Sequence, residues 1–416
     1  MKTTIPGWLA AVAAAVLTFS SARAAETPST EEMWRIIQEQ QRQIEDLRRQ
    51  LEATNEQVAE TDQKVEVAGE MIERQDAGVS TAASWAERTR LGGYGELHYN
   101  NLDSKKEIDF HRFVLFLNHD FTDDVRLVTE LELEHSVAGE GQEGEVELEQ
   151  AYVEFDLGAH HAAKAGLFLI PVGILNETHE PPTFFGVERN PVETNIIPTT
   201  WWEGGAGLRG ELAPGWSYDV TVSSGLDVRD SGSGAFLIRG GRQKVSEAPA
   251  EDFAYTGRVK WTGLPGVELA LTGQYQEDVT QGDLGISATL LEAHADIRRG
   301  PFGLRALYAR WDLDDADTIA SVDPAAAGRD EQVGWYVEPS VRGRLGGVPG
   351  EFGAFVRYNV WDNNAGGSAD TEFTQFDAGI NYWPVPDVVL KFDVRRQDNE
   401  SAEDDDGFNL GLGFQF

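Results

Sequence analysis

The sequence contains no cysteine, so no disulfide can brace its fold. Beyond the N-terminus it has no apolar run of about 18 residues or more, so helical membrane spans are not expected. Positive charge is scarce. Lys and Arg number 34 against 71 Asp and Glu, a formal net charge of −37 at pH 7. That balance argues against nucleic acid as a partner. Signatures of chemistry are missing as well: there is no H-E-x-x-H and no cysteine pair, and His98, His135 and His294 show no triad spacing. No catalytic residue, metal site or cofactor is expected. Much of the acidity comes in bursts, such as Asp312, Asp314, Asp315 and Asp317, or Glu403, Asp404, Asp405 and Asp406. They read as solvated loops, with divalent-cation bridges to surface lipopolysaccharide as the alternative.

What is present begins with a leader. Lys2, the apolar stretch Trp8 to Phe19 and the Ala22-Arg23-Ala24 site read as a secretory signal peptide over residues 1–24. Residues 25–78 change register. Ile37, Ile44, Leu51, Val58, Val65 and Ile72 repeat every seven residues, which predicts an α-helical coiled-coil stalk. A linker over 79–89 follows. An envelope tether that uses the stalk, with the rest as its anchor, is the competing reading.

From residue 90 to 416 the chain alternates between amphipathic runs of about ten residues and turn-rich breaks. We read sixteen strands, the first at 90–100 and the last at 407–416. Short breaks such as LAPG and TGLPG alternate with long ones such as 171–203, 227–252 and 314–330. Short turns on one rim, long loops on the other and an even strand number predict an all-β transmembrane barrel of 16 antiparallel strands. The chain ends GFNLGLGFQF. Phe408, Leu410, Leu412, Phe414 and Phe416 form one greasy face, and Gly407, Asn409, Gly411, Gly413 and Gln415 a small, polar one. This last strand is expected to close on the first, with Phe416 at the periplasmic interface. A terminal aromatic on such a strand looks like the signal that the outer-membrane assembly machinery reads.

Sixteen strands leave a water-filled channel. Phasing each strand by its apolar positions gives the inward set. On the last strand but one, Val388, Leu390, Phe392 and Val394 face lipid, which puts Lys391, Asp393 and Arg395 inside. Arg126, Glu130, Glu132, Glu134, Glu96 and His98 fall inside on early strands. Arg258, Lys260, Arg305, Arg342, Arg344 and Arg357 fall inside on later ones. An acidic wall opposite a basic wall would set a transverse field across the pore. Cross-strand pairing of the same charges is the alternative. The third long loop, 171–203, is too apolar to stay in water. Folded inward, it would bury Phe184, Phe185 and Ile196 and bring Glu180, Glu188, Arg189, Asn190 and Glu193 to a constriction. A latch over a neighbouring barrel is its other expected use.

Residues 150–212 carry AYVEFDLG, GLFLIPVGILNETHEPPTFFGVERNPVE and IIPTTWWEGGAGLRGEL. They resemble the phosphate-selective porin O/P superfamily, and within it the coiled-coil-bearing, DcaP-like trimeric porins. The resemblance implies a homotrimer of barrels in the outer membrane of a Gram-negative bacterium, in contact with its lipid and lipopolysaccharide, with the stalk in the periplasm. Phosphate selectivity in that family rests on dense Lys and Arg, whereas this lumen reads as mixed. The expected function is passive diffusion of small polar or anionic solutes.

Overall fold

The structure, a computed structural model, describes Trp34 and residues 82–136, 144–399 and 404–416. The signal-peptide and coiled-coil readings fall outside the described residues. A short helix α1 (Ala82–Glu87) leads into the barrel. The strands are β1 (Thr89–Leu102), β2 (Lys106–Asp120), β3 (Val125–Glu134), β4 (Val146–Asp156), β5 (His161–Leu169), β6 (Trp202–Ala213), β7 (Trp216–Ser223) and β8 (Ala254–Trp261). They continue as β9 (Val267–Gln276), β10 (Ala288–Arg299), β11 (Phe302–Leu313), β12 (Glu331–Gly343), β13 (Glu351–Asp362), β14 (Phe373–Val385), β15 (Val388–Asn399) and β16 (Gly407–Gln415). Two further short helices, α2 (Val192–Asn195) and α3 (Ala316–Val322), lie in long loops.

Every strand pairs antiparallel with its sequence neighbours, and β16 returns to β1, so the sheet has no free edge. Tyr94 stands opposite Gln415 and Leu102 opposite Gly407. The terminal residue extends the seam: Phe416 N–H donates to Gly93 O at 2.9 Å, and Gly93 N–H donates to Phe416 O at 3.0 Å. Two glycines of β1 make this closure possible. A Cβ on Gly93 would lie 3.0 Å from Phe416 Cζ, and one on Gly95 would lie 2.7 Å from Phe414 Cζ.

Period-2 alternation survives as a difference between faces. Along β15, Leu390, Phe392 and Val394 are exposed while Lys391 and Asp393 are buried. Leu269, Leu271 and Tyr275 of β9 do the same, with Thr272, Gln274 and Gln276 buried between them. Outward aromatics gather toward both rims. Trp216 and Trp261 meet at a short turn with ring centroids 6.4 Å apart, and Trp335 and Tyr358 pair at 5.8 Å nearer the long loops. Such an apolar belt between aromatic girdles suits hydrocarbon. Leu271→Arg, mid-strand on the outer face, should therefore cost about 2–4 kcal/mol in denaturant unfolding from liposomes.

The interior departs from a uniformly polar lining. Leu290, Leu307, Ala309, Trp311, Tyr336 and Trp361 point inward from β10 to β13 and join a buried apolar cluster. Most of its other members come from the β5–β6 and β7–β8 loops, which enter the barrel, and Val279, Ile286, Ile319 and Ala326 are added by the β9–β10 and β11–β12 loops.

Candidate functional site

The first of these loops joins β5 to β6 and crosses the lumen, fixed to the wall at many points. Trp311 Nε1 donates to Ile196 O at 3.0 Å, and Arg305 Nη2 to Thr183 O at 3.1 Å. Lys391 Nζ donates to Gly186 O at 2.8 Å, and Val187 N to Asp393 Oδ2 at 2.6 Å. On β1 Asn100 Nδ2 donates to Glu188 Oε1 at 2.8 Å, and on β8 Arg258 pairs with Glu177. Of the three side chains expected to be buried, Phe184 is 3% exposed, Ile196 is fully buried and Phe185 is half-buried.

The wall makes room for this loop with glycine. A Cβ on Gly413 would lie 2.3 Å from Pro181 Cβ, one on Gly353 2.7 Å from Phe185 Cε1, and one on Gly411 3.1 Å from Val187 Cγ1. The small face of the C-terminal strand is the seat of the loop.

A second loop, between β7 and β8, also enters the barrel, where the sequence predicts only a long connection. It buries Leu226, Val228, Phe236 and Ile238 against Trp311 and Leu313. Gln332 holds it, donating from Nε2 to Phe236 O at 2.7 Å.

The charged lumen residues divide by their partners. Arg357 lies 3.0 Å from both Glu338 and Asp377, and Arg305 lies 3.0 Å from Asp296. Arg258 adds Asp219 at 2.8 Å, Arg342 pairs with Glu351 at 2.8 Å, Arg395 with Asp405 at 3.4 Å and Lys260 with Glu268 at 3.4 Å. Most of the basic residues expected on the later strands therefore stand beside carboxylates, Asp405 in a loop and the others on adjacent strands, as the cross-strand alternative has it, while Lys391 is bonded to the loop carbonyl of Gly186. On the early strands Arg112 bonds Glu96 at 2.6 Å, and Glu130 and Glu132 are buried beside it, with Glu134 half-buried farther along β3.

The loop residues expected at a constriction separate in the same way. Glu193 and Asn190 are 0% and 2% exposed. Glu193 accepts from Ile174 N at 2.9 Å, Leu175 N at 2.6 Å and Tyr336 OH at 2.7 Å. Asn190 accepts from Glu193 N at 2.8 Å. Both side chains hold the loop together and do not face open space. Glu180 is half-buried at the start of a 3-10 turn. Glu188 and Arg189 line a cavity of about 320 Å³ on the long-loop side, with Lys105, Arg239 and Arg395. Cavities of about 500 and 620 Å³ on the short-turn side share Glu177, Arg258 and Lys260.

Burial opposes the charge on Glu188, yet the His98 ring, His111 and the Asn100 amide hold its carboxyl well below the usual carboxylate range. Glu177 is likewise lowered, burial being outweighed by Arg258, Lys164 and Lys260. Lowered folded-state values mean that these tethers contribute in full above the ordinary glutamate pKa of about 4.3. Their contribution drains away as pH falls below it. Exchange protection of residues 174–190, corrected for intrinsic rate, should be flat from neutral pH to about 5 and decline below about 4.

No family model matches the chain. An uncharacterized protein of Aquifex aeolicus (strain VF5) is 31% identical over 370 residues, covering 82% of this chain and 84% of that protein. The chain belongs to the same family. Solved structures extend the likeness at the level of fold. An anion-selective porin from Comamonas acidovorans superposes with a TM-score of 0.55 at 12% identity, covering 79% of this chain and 99% of that one. The outer membrane channel DcaP of Acinetobacter baumannii gives 0.53 at 14% identity, covering 82% and 99%. The trimer form of OmpT, an outer membrane protein of Vibrio cholerae, gives 0.52 at 11%, covering 79% and 99%. The family member described here thus has the closed sixteen-strand fold of outer-membrane porins.

Sequence reasoning missed Arg112, Glu149, Glu177 and His179, all inside the barrel. Arg112 was legible, since Phe113, Leu115 and Leu117 phase outward on β2 and put Arg112 on the inner face. Glu149 was not, because a register shift in β4 next to Glu130 reverses its face.

Proposed function

We propose that this protein is an outer-membrane porin of the DcaP-like type, carrying small polar solutes by passive diffusion and favouring anions. Residues 171–201 form the constriction. One observation carries the reading: a closed barrel, apolar outside, encloses a loop bonded to the wall and cavities lined by charge on either side of it.

The anion preference rests on two guanidinium groups. Arg189 and Arg239 line the long-loop cavity, and among the described residues neither has a carboxylate within ion-pair distance. Arg239 donates to the Thr194 carbonyl, and burial beside Arg242 brings its pKa down to about 10, which leaves it charged at neutral pH. The carboxylates of that cavity are engaged, Glu96 by Arg112 and Glu188 by His98. Unpaired basic side chains at a narrow place attract anions.

The reading places the barrel among outer-membrane lipid and lipopolysaccharide, assembled through the strand ending at Phe416, as a homotrimer with residues 25–78 in the periplasm. The trimer is supported by the OmpT neighbour. Planar-bilayer recording tests the whole. Purified protein should give stable conductance steps in threes, with a reversal potential of anion-selective sign under a salt gradient. Replacing Arg189 and Arg239 together by Ala should move that potential toward cation selectivity. Silence at ample protein would sink the porin reading, and an unmoved potential would remove the two arginines from it.

A further inference from the structure

Where the inward loop passes β3 and β4, three buried side chains from three segments converge. His179 of the loop presents Nε2 at 3.5 Å from Glu130 Oε1 and 3.5 Å from Glu149 Oε2. All three residues are at most 3% exposed. We propose that they bind one divalent transition-metal ion, of which zinc is the probe, and that this ion clamps the loop to the acidic wall.

The distances fit an ion better than direct contact. At 3.5 Å the imidazole makes no hydrogen bond of ordinary length to either carboxylate. Ligands bonded at about 2.0–2.2 Å to a tetrahedral ion stand about 3.3–3.5 Å apart. The nitrogen facing the gap is also the correct one. His179 Nδ1 lies 3.2 Å from Asn176 O, an acceptor, so Nδ1 carries the proton and the lone pair of the neutral ring is on Nε2. Such an outer-shell bond is how metal-binding histidines are oriented. Asn176 is itself fixed, donating to Ile170 O and Trp201 O and accepting from Trp201 N.

Glu130 accepts from Gln150 Nε2 at 2.6 Å and more weakly from Tyr94 OH at 3.4 Å, but several atoms around it lack partners. His179 Nε2, Glu149 Oε2 and both carboxylate oxygens of Glu132 are buried with no hydrogen-bond partner. Glu132 lies two residues from Glu130 on the same face of β3 and adds a third buried carboxylate beside the three-residue site. Arg112, the guanidinium at this place, is spent on Glu96 at 2.6 Å and stays 3.9 Å from Glu132. Three carboxylates gathered out of water against one engaged cation call for further positive charge. A register shift in the β3–β4 ladder puts Glu149 opposite no residue and turns it inward. The mixed nitrogen and oxygen set points to a transition metal and away from calcium or magnesium, which take oxygen ligands.

The site does not depend on what the barrel conducts. Full-length protein in detergent, purified without a polyhistidine tag and stripped with EDTA, should take up one tightly bound zinc per chain. His179→Ala and Glu149→Gln should each abolish the tight site while leaving weak binding to the acidic loops, and excess calcium should not displace the zinc. X-ray absorption of the wild-type protein at one equivalent should show an imidazole nitrogen with oxygens at about 2.0–2.2 Å. A shell of oxygen alone, displacement by calcium, or wild-type affinity no greater than that of His179→Ala would overturn the proposal, leaving a protonated imidazole between carboxylates. The absorption spectrum decides even if the variants fail to assemble.

Discussion

Glu193→Leu should release the inward loop while the barrel stays closed. The carboxylate is fully buried and accepts four hydrogen bonds: from Ile174 N and Leu175 N on one oxygen, and from Tyr336 OH and Asn190 Nδ2 on the other. Leucine fills similar volume and accepts none. Two backbone N–H groups and a phenol are then left buried without partners, at about 1–3 kcal/mol each, or roughly 3–6 kcal/mol after partial relaxation. That exceeds what a single loop segment can absorb while staying folded. The sixteen-strand ladder does not involve Glu193, so the failure is local. Hydrogen exchange over 171–201 should rise by orders of magnitude with the strands unchanged, and single-channel conductance should increase. Glu193→Gln should be milder, since its carbonyl can still face the two N–H groups and its amide can donate to the tyrosine oxygen. Retained loop protection in the leucine variant would show that the loop is held by its other contacts alone.

This role could not be read from Glu193 in isolation. The strands were legible because lipid imposes alternation on every outward face, and turn residues mark each reversal. Expected and observed ends differ little: 90–100 against Thr89–Leu102, and 407–416 against Gly407–Gln415. What faces inward is less constrained, since an inner side chain answers to whatever lies across the lumen. Arg357 looked like a pore cation because Glu338 and Asp377 lie on other strands, and only the register brings them to 3.0 Å. Leu307 and Trp311 carried a sign that went unused. Large apolar residues on a face expected to be wet imply something apolar to cover them, and the two inward loops are that cover, with Ile196 and Trp201 of the first against Trp311.

The small face of the last strand makes the same point in a form that can be tested. Valine suits a strand better than glycine does, so Gly413→Val should not impair β16 as a strand. Its effect must come from across the lumen. The new Cβ would stand 2.3 Å from Pro181 Cβ and 3.1 Å from Val389 Cγ1. The second contact can relax by a few tenths of an ångström; the first requires the Pro181–Thr183 turn to move by more than an ångström. That turn is held by Trp383 Nε1 on Pro182 O at 3.3 Å and by Arg305 on Thr183 O at 3.1 Å. Overpacking of this kind costs about 1–3 kcal/mol, and here it falls on the loop. The variant should assemble normally, lose exchange protection over 178–187 and change conductance. Pro181→Gly removes the opposing Cβ, so the double variant should recover part of the loss, and the coupling between the two sites separates a clash from a general weakening of β16. If protection and conductance stay at wild-type values in Gly413→Val, glycine at this position serves the strand and not the loop.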